Sequence, residues 1–246
     1  MDALYQNQKL VEVYDAINQS REDFDFYIAE LPNQPATVLD IGCGAGTFAL
    51  DLASRGYDVT AVDPAPNMIA LAAQKDTGRS VTWVTGSVAD LDMDMKCDAA
   101  VMTGHAFQCL LKEIEISSLF EAVEHRLCHD GSFWFETRNR DAQPWLRWTP
   151  EYAAPPFDLG GGRTVQVTHT LLSVNEDCVT FEERYDFNDE SEALISRSTL
   201  RFPDLESIEK LAKKNGLIVS EAFGNWQREP FTPDSPEIIV QLRKAA

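Results

Sequence analysis

The chain has 246 residues, enough to bury one sizeable core and carry an elaboration on it. Its 40 Asp and Glu against 21 Lys and Arg leave a net charge of −19 at pH 7. A surface this acidic repels phosphate backbones and anionic lipid, which argues against general nucleic-acid or membrane-surface binding and leaves solubility as the reading of the charge.

The sequence shows no charged-then-apolar leader and no apolar run long enough to span a bilayer. The five cysteines, Cys43, Cys97, Cys109, Cys128 and Cys178, are scattered and odd in number, unlike a disulfide framework. A reduced, cytoplasmic protein is the expectation.

Taken in chain order, residues 1–35 predict an amphipathic helical segment closed by Pro32 and Pro35. Leu10, Tyr14 and Ile17 share one face, and Phe24, Tyr27, Ile28 and Leu31 repeat the spacing. It reads as a packing element or as a flap whose aromatic rings, Tyr14 among them, cover a site. Val38, Leu39 and Ile41 then form a short apolar strand ending in the turn Gly42-Cys43-Gly44-Ala45-Gly46, with a helix from Ala45 to Arg55. Further strands are predicted over 57–62, 81–85, 98–103 and 132–137, alternating with helices that begin at Pro66 and carry the stripe Ile116, Leu119, Phe120, Val123 and Leu127. That rhythm predicts a doubly wound, mostly parallel α/β sheet.

The rhythm breaks after Asn139. Residues 140–202 hold three alternating segments separated by turn signals, which predicts an antiparallel β insertion acting as a cap. Gly160-Gly161-Gly162 lacks the Lys and Ser/Thr of a phosphate loop and reads as a flexible connection. The helix–strand pattern returns over 203–246, with a helix from Pro203-Asp204 and strands at 217–223 and 237–242, completing seven core strands.

A strand, a glycine turn and a helix start make a cradle for an adenosine cofactor, because the turn exposes N–H groups at a helix N-terminus. A dinucleotide fingerprint requires a third glycine at position 47, where this chain has Thr47. Asp63, at the end of the second strand, is placed to accept both ribose hydroxyls, and Asp40 inside the first strand reads as a brace for the glycine turn.

The run Val38 to Gly46, then Val62-Asp63-Pro64 and Met68, then Gly86 to Leu91, then Met102 to Gln108, resembles the class I S-adenosylmethionine-dependent methyltransferases over residues 36–138 and 203–244. The resemblance implies a Rossmann-like core over 36–139 and 203–246 and S-adenosylmethionine as methyl donor. It implies cofactor contacts from Tyr14, Asp40, Gly42, Cys43, Gly44, Gly46, Asp63, Pro64, Met68, Ser87, Val88, Asp90, Thr103, Gly104 and His105. It departs from the family at Ser87, where an acid often accepts the adenine amino group; either Ser87 accepts it or Asp90 takes part.

The reaction implied is methyl transfer by in-line displacement to N or O of a small-molecule acceptor, with a non-catalytic cofactor-binding module as the alternative. His105, at the sheet edge, is the candidate for acceptor orientation or base catalysis. Gln108, Arg138, Trp145, Trp148 and Tyr152 are the candidate acceptor contacts, the aromatic residues as a pocket wall or as pins for the cap. His125, Cys128 and His129 lie at a helix C-terminus away from the active edge with no partner cluster, so no metal is expected. The acceptor and the oligomeric state are not encoded in any readable motif.

Overall fold

A computed structural model describes residues 2–18 and 20–245, so the parts of the predicted segments that fall on Met1, Gln19 and Ala246 lie outside the described residues. Five parallel strands build the centre of the main sheet: β1 (Thr37–Ile41), β2 (Asp58–Asp63), β3 (Val81–Thr85), β4 (Cys97–Met102) and β5 (Leu127–Arg138). A second, antiparallel sheet holds β6 (Phe157–Gly160), β7 (Arg163–Asn175), β8 (Cys178–Phe187) and β9 (Leu194–Arg201). The chain then returns to the main sheet with β10 (Leu217–Phe223) and β11 (Glu237–Lys244). The main sheet runs β10-β11-β5-β4-β1-β2-β3, with β11 antiparallel to both of its neighbours.

Seven helices accompany the strands among the described residues: α1 (Ala3–Gln6), α2 (Gln8–Ile17), α3 (Glu22–Glu30), α4 (Thr47–Ser54), α5 (Pro66–Lys75), α6 (Glu113–Arg126) and α7 (Leu205–Lys214). None is long and apolar enough to cross a membrane. The boundaries follow local chemistry. Pro66 opens α5 at a first-turn position that needs no N–H, and the Asp204 carboxylate caps α7 by accepting from the Ser207 amide at 2.7 Å.

Helices cover both faces of the sheet, which is why β1 is buried along nearly its whole length instead of alternating. On one face, Phe107, Ile116, Phe120 and Val123 pack with Ile208 and Leu211 over Phe133, Phe135 and Val240. On the other, Phe26 and Tyr27 of α3 and Phe48 and Leu52 of α4 pack on Val38, Trp134 and Ile239. The third N-terminal helix is therefore part of the core.

The first two helices do something else. Leu4, Leu10 and Val13 pack on Val165, Val167, Tyr185 and Phe187 of the second sheet, while Val11 packs on Ala45, Ala65 and Met68 of the core. The amphipathic stripe thus has two opposed partners, and α1–α2 bridges cap and core. The Leu4 amide donates to Ser196 Oγ at 3.0 Å and Asn67 Nδ2 donates to the Gln6 carbonyl at 2.6 Å, fixing both ends of the bridge. Leu10 is fully buried there, a contribution of about 1.5–3 kcal/mol.

The cap differs from its sequence reading in one respect. Gly160-Gly161-Gly162 is a hairpin turn, all three residues at positive φ, and it joins β7 to a fourth strand, β6, that the sequence pattern did not reveal. β6 is four residues long with a single alternation, too short to give a periodic signal.

Candidate active site

The strand order reverses between β1 and β4, and ligands in open α/β sheets bind outside the strand ends at such a switch point. Two glycine turns flank it. After β1, Gly42, Gly44 and Gly46 hold φ of 68°, 53° and 79°; after β4, Gly104 and His105 hold 65° and 58°. The three glycines of the first turn serve different ends. A Cβ on Gly46 would meet Trp83 at 2.5 Å and Ala72 at 2.7 Å, so that glycine serves packing, whereas Gly44 has only the Tyr14 ring nearby, at 3.7 Å, and Gly104 has open space.

The brace of the glycine turn is Asp63 and not Asp40. Asp63 Oδ2 accepts from the Gly44 amide at 2.9 Å and its Oδ1 from the Ala65 amide at 2.8 Å, so Asp63 braces the glycine turn. Asp40 does not: both of its carboxylate oxygens are buried without a hydrogen-bond partner. Burial, and then the neighbouring Asp63 charge, push Asp40 up to about 7. Asp63 is also raised by burial, against the pull of its two amide bonds.

Ser87 and Asp90 close a capping box at the start of a single 3-10 turn. Asp90 Oδ2 accepts from the Ser87 amide and from its hydroxyl, each at 2.8 Å. One Asp90 oxygen is thereby committed to Ser87, and these bonds hold the carboxyl below its ordinary value. Val88 is buried beside them, Pro64 is exposed after β2, and Cys43 and Thr103 are half-buried on the two turns. Met68 is fully buried between α2 and the glycine turn.

Over the first turn lies α2. Tyr14 sits against Gly44, and Thr47 Oγ1 donates to Asp15 at 3.1 Å. Lys75 bonds both Asp15 and the Ala45 carbonyl, clasping the helix to the turn. An adenosine group fits this edge: the Asp63 carboxylate at the end of β2, a glycine turn open at Gly44 and an aromatic cover from Tyr14.

Beneath the second turn is a polar network that sequence reasoning missed. His105 donates its amide to Glu136 Oε1 at 2.6 Å, the Tyr27 hydroxyl donates to Glu136 Oε2, and His105 Nε2 lies 3.0 Å from Glu237 Oε2. Glu136 is wholly inaccessible, and burial pushes it up to about 8 despite both bonds. His105 is held below its ordinary value by burial first and by the Arg138 cation second, with Glu237 pulling the other way. A readable signal existed in the strand: Glu136 interrupts the run Phe133-Trp134-Phe135, and a carboxylate inside a buried strand demands partners.

Arg138 Nη1 donates to Gln108 Oε1 at 2.9 Å, Gln108 Nε2 donates to the Arg201 carbonyl at 3.0 Å, and the guanidinium lies 5.9 Å from the Trp148 ring centre. Gln108, Arg138 and Trp148 are thus brought together at the edge that His105 occupies. Trp145 is not. It is buried edge-on against Phe202 at 4.9 Å and pins the cap, as Val179 does. Tyr152 is 58% exposed and rests on Arg147, outside the site. His125 in the last turn of α6 and His129 beyond it are both exposed, and no group of three potential metal ligands occurs among the described residues.

Cap and bridge add a second unpredicted set. Burial first holds Tyr5, Tyr14 and Cys109 above their ordinary values; the Glu183 carboxylate adds to this at Tyr5 and Tyr14 and Asp63 at Tyr14 and Cys109, while Tyr5 and Cys109 act on Arg138. They lie between the edge that holds His105 and Arg138 and the cap. Glu183 pairs with His169 Nε2 at 3.2 Å, and the Tyr185 hydroxyl beside it is buried without a partner. Glu183 occupies the same inward-facing row of β8 as Phe181, Tyr185 and Phe187, so the alternation itself carries the signal.

With this geometry in view, comparisons with known proteins settle the class. Residues 38–131 match the family described as a methyltransferase domain. The chain is similar to the cypemycin N-terminal methyltransferase of a Streptomyces species, 24% identical over 97% of each chain. It is similar to the glycine/sarcosine N-methyltransferase of Parasynechococcus marenigrum, 26% identical over 85% of this chain and 73% of the relative. Its fold is also that of the SAM-bound CalS10, an amino pentose methyltransferase from Micromonospora echinaspora, with a TM-score of 0.69, 21% identity and 94% of each chain covered. The methyltransferase domain and these likenesses support a class I S-adenosylmethionine-dependent methyltransferase. It is an enzyme, and its cofactor is S-adenosylmethionine.

Proposed function

We propose that this enzyme methylates the nitrogen of a small amine held in the cleft between cap and core. The observation that carries the proposal is a cluster on the inner side of the cap: the Glu183 carboxylate lies among Tyr5, Tyr14 and Tyr185, a carboxylate-and-aromatic setting that suits a cation. The relatives named above act, by their names, on the N-terminus of cypemycin, on the nitrogen of glycine or sarcosine, and on an amino pentose, which supports nitrogen over oxygen. An oxygen acceptor is the second reading, and it would leave Glu183 with His169 alone.

When bound, S-adenosylmethionine supplies an electrophilic methyl group. The residues proposed to hold it are Asp63 at the ribose, Ser87, Val88 and Asp90 at the adenine, and the Gly42–Gly46 and Thr103–His105 turns at the amino-acid end, with Tyr14, Asp40, Cys43, Pro64 and Met68 around them. The rest of the chain orients the amine, excludes water through α1–α2 and the cap, and accepts a proton at His105. Orientation in a closed site can supply much of the rate. A protonated amine has no free electron pair, so it must lose a proton before attack, and neutral His105 is the base proposed for it.

The proposal includes a three-part organisation: a bridge formed by α1–α2 at the head of residues 1–35, a cofactor core over 36–139 and 203–246, and an acceptor cap over 140–202. A small-molecule acceptor and no nucleic-acid partner accord with the charge of −19. A cytoplasmic location accords with the five free cysteines. The test is release of S-adenosylhomocysteine across matched pools of amines, phenols and carboxylates. Turnover confined to amines supports the reading, and turnover confined to phenols or carboxylates overturns it.

A further inference from the structure

Glu237 opens β11, and nothing in the strand–helix pattern distinguishes it. Its place is fixed by the ladder: it lies opposite Arg138 in the β5–β11 register, and its amide donates to the Gly224 carbonyl at 3.1 Å. From there the carboxylate reaches across β5 to His105 Nε2 at 3.0 Å, with the two side chains only 14% and 19% exposed. The His105 backbone is held at the same time, in a left-handed conformation, by the amide bond to Glu136. Backbone and ring are therefore anchored by two different carboxyl groups from adjacent strands.

An anionic carboxylate can only accept a hydrogen bond, so the ring nitrogen facing it carries the proton. In neutral His105 that nitrogen is Nε2, which leaves the electron pair on Nδ1. Among the described residues Nδ1 has no hydrogen-bond partner, and it is not among the buried orphan atoms, so it remains accessible. We infer that Glu237 is a positioning residue that fixes the His105 tautomer and makes Nδ1 the atom that faces the acceptor.

This inference rests on the reading of His105 as the base. In the step it serves, an N–H bond of the ammonium acceptor breaks, its electron pair stays on the acceptor nitrogen, and the proton forms an Nδ1–H bond on His105. Glu237 then faces an imidazolium, whose charge it stabilises. The other groups around the ring are Arg138, whose cation opposes protonation, and Glu136, which is neutral below about pH 8. On the side of α3, Asp23 lies against Gly104 and is itself raised by burial, so it holds its proton to higher pH than an exposed carboxyl.

The experiment is nitrogen-15 NMR of the histidine side chains in the full-length enzyme with S-adenosylhomocysteine, comparing wild type, Glu237→Gln and, for assignment, His105→Asn. The expected wild-type signature is a proton on Nε2 with Nδ1 unprotonated, and Glu237→Gln should convert His105 to a mixture of tautomers and lower its pKa. Thermal unfolding and S-adenosylhomocysteine titration of the variant identify a merely misfolded protein; should Glu237→Gln fail that control, Glu237→Asp, which keeps the acceptor charge, should retain the Nε2–H tautomer. A wild-type proton on Nδ1, or a Glu237→Gln ring with unchanged tautomer and pKa, overturns the inference. Full methyl transfer by His105→Asn would instead overturn the reading of His105 as a base while leaving the tautomer result standing.

Discussion

Arg138 and Glu237 face each other across the β5–β11 ladder, yet neither takes the other as its hydrogen-bond partner. Arg138 donates to Gln108, and Glu237 holds His105. A half-buried cation and a half-buried anion on adjacent strands are thereby each turned to a different neighbour at the active edge. Because the cation lowers the His105 pKa and the anion raises it, the two residues set the base from opposite sides.

Arg138→Gln is therefore expected to move the acid limb of the kcat–pH profile upward, toward the ordinary histidine range near 6.5. Glu237→Gln is expected to move it downward. Activity rises with pH along this limb in every case because the base must be neutral, and the signs of the two shifts are the observable. Shifts of the same sign in both variants would contradict the assignment of the limb to His105.

Asp63→Ala should weaken S-adenosylhomocysteine binding by about tenfold or more, measured by isothermal titration. A charge-assisted hydrogen bond is worth roughly 1.5–3 kcal/mol, and the substitution also releases the Gly44 amide from its brace. An unchanged affinity would remove Asp63 from the ribose site.

Glu136 should make the free protein less stable as pH rises. Its folded value of about 8 lies above the ordinary 4.5, so between those values the folded chain holds a proton that the unfolded chain releases. The stability that Glu136 lends is complete below about 4.5 and is lost progressively until pH passes about 8. Glu136→Gln removes this titration, so the difference in Tm between variant and wild type should shift in favour of the variant from about pH 5 to pH 8.5. A difference independent of pH would show that Glu136 is ionised in the folded protein.

The three aromatic residues of the 145–152 segment should separate cleanly. Trp145→Ala empties a buried position against Phe202 and should cost about 3–5 kcal/mol of stability. Trp148→Ala removes the ring beside Arg138 and should raise the acceptor KM several-fold with cofactor affinity unchanged. Tyr152→Ala, at an exposed ring, should change neither.

The core was legible in the sequence because parallel strands buried on both faces give continuous apolar runs, such as Val38 to Ile41, and because glycine turns mark their ends. The order of the motifs was enough to locate the glycine turn, Asp63 and Gly104-His105. What could not be read was partnership. Asp40 and Asp63 are both carboxylates near one turn, and only the geometry shows which of them accepts from Gly44. Glu136 and Glu237 lie on strands separated in sequence by the whole cap, so their convergence on His105 is a property of the sheet order. The double role of α1–α2 was equally hidden, since its stripe does not say that Leu10 faces the cap while Val11 faces the core.

The most direct test of the function is mass-spectrometric and NMR analysis of the product formed from methyl-labelled S-adenosylmethionine and a pool of small primary and secondary amines. The expected result is a single labelled methyl group on nitrogen, abolished or reduced at least tenfold in His105→Asn while that variant still binds S-adenosylhomocysteine. Label on oxygen, or cofactor binding with no labelled amine at all, would contradict it.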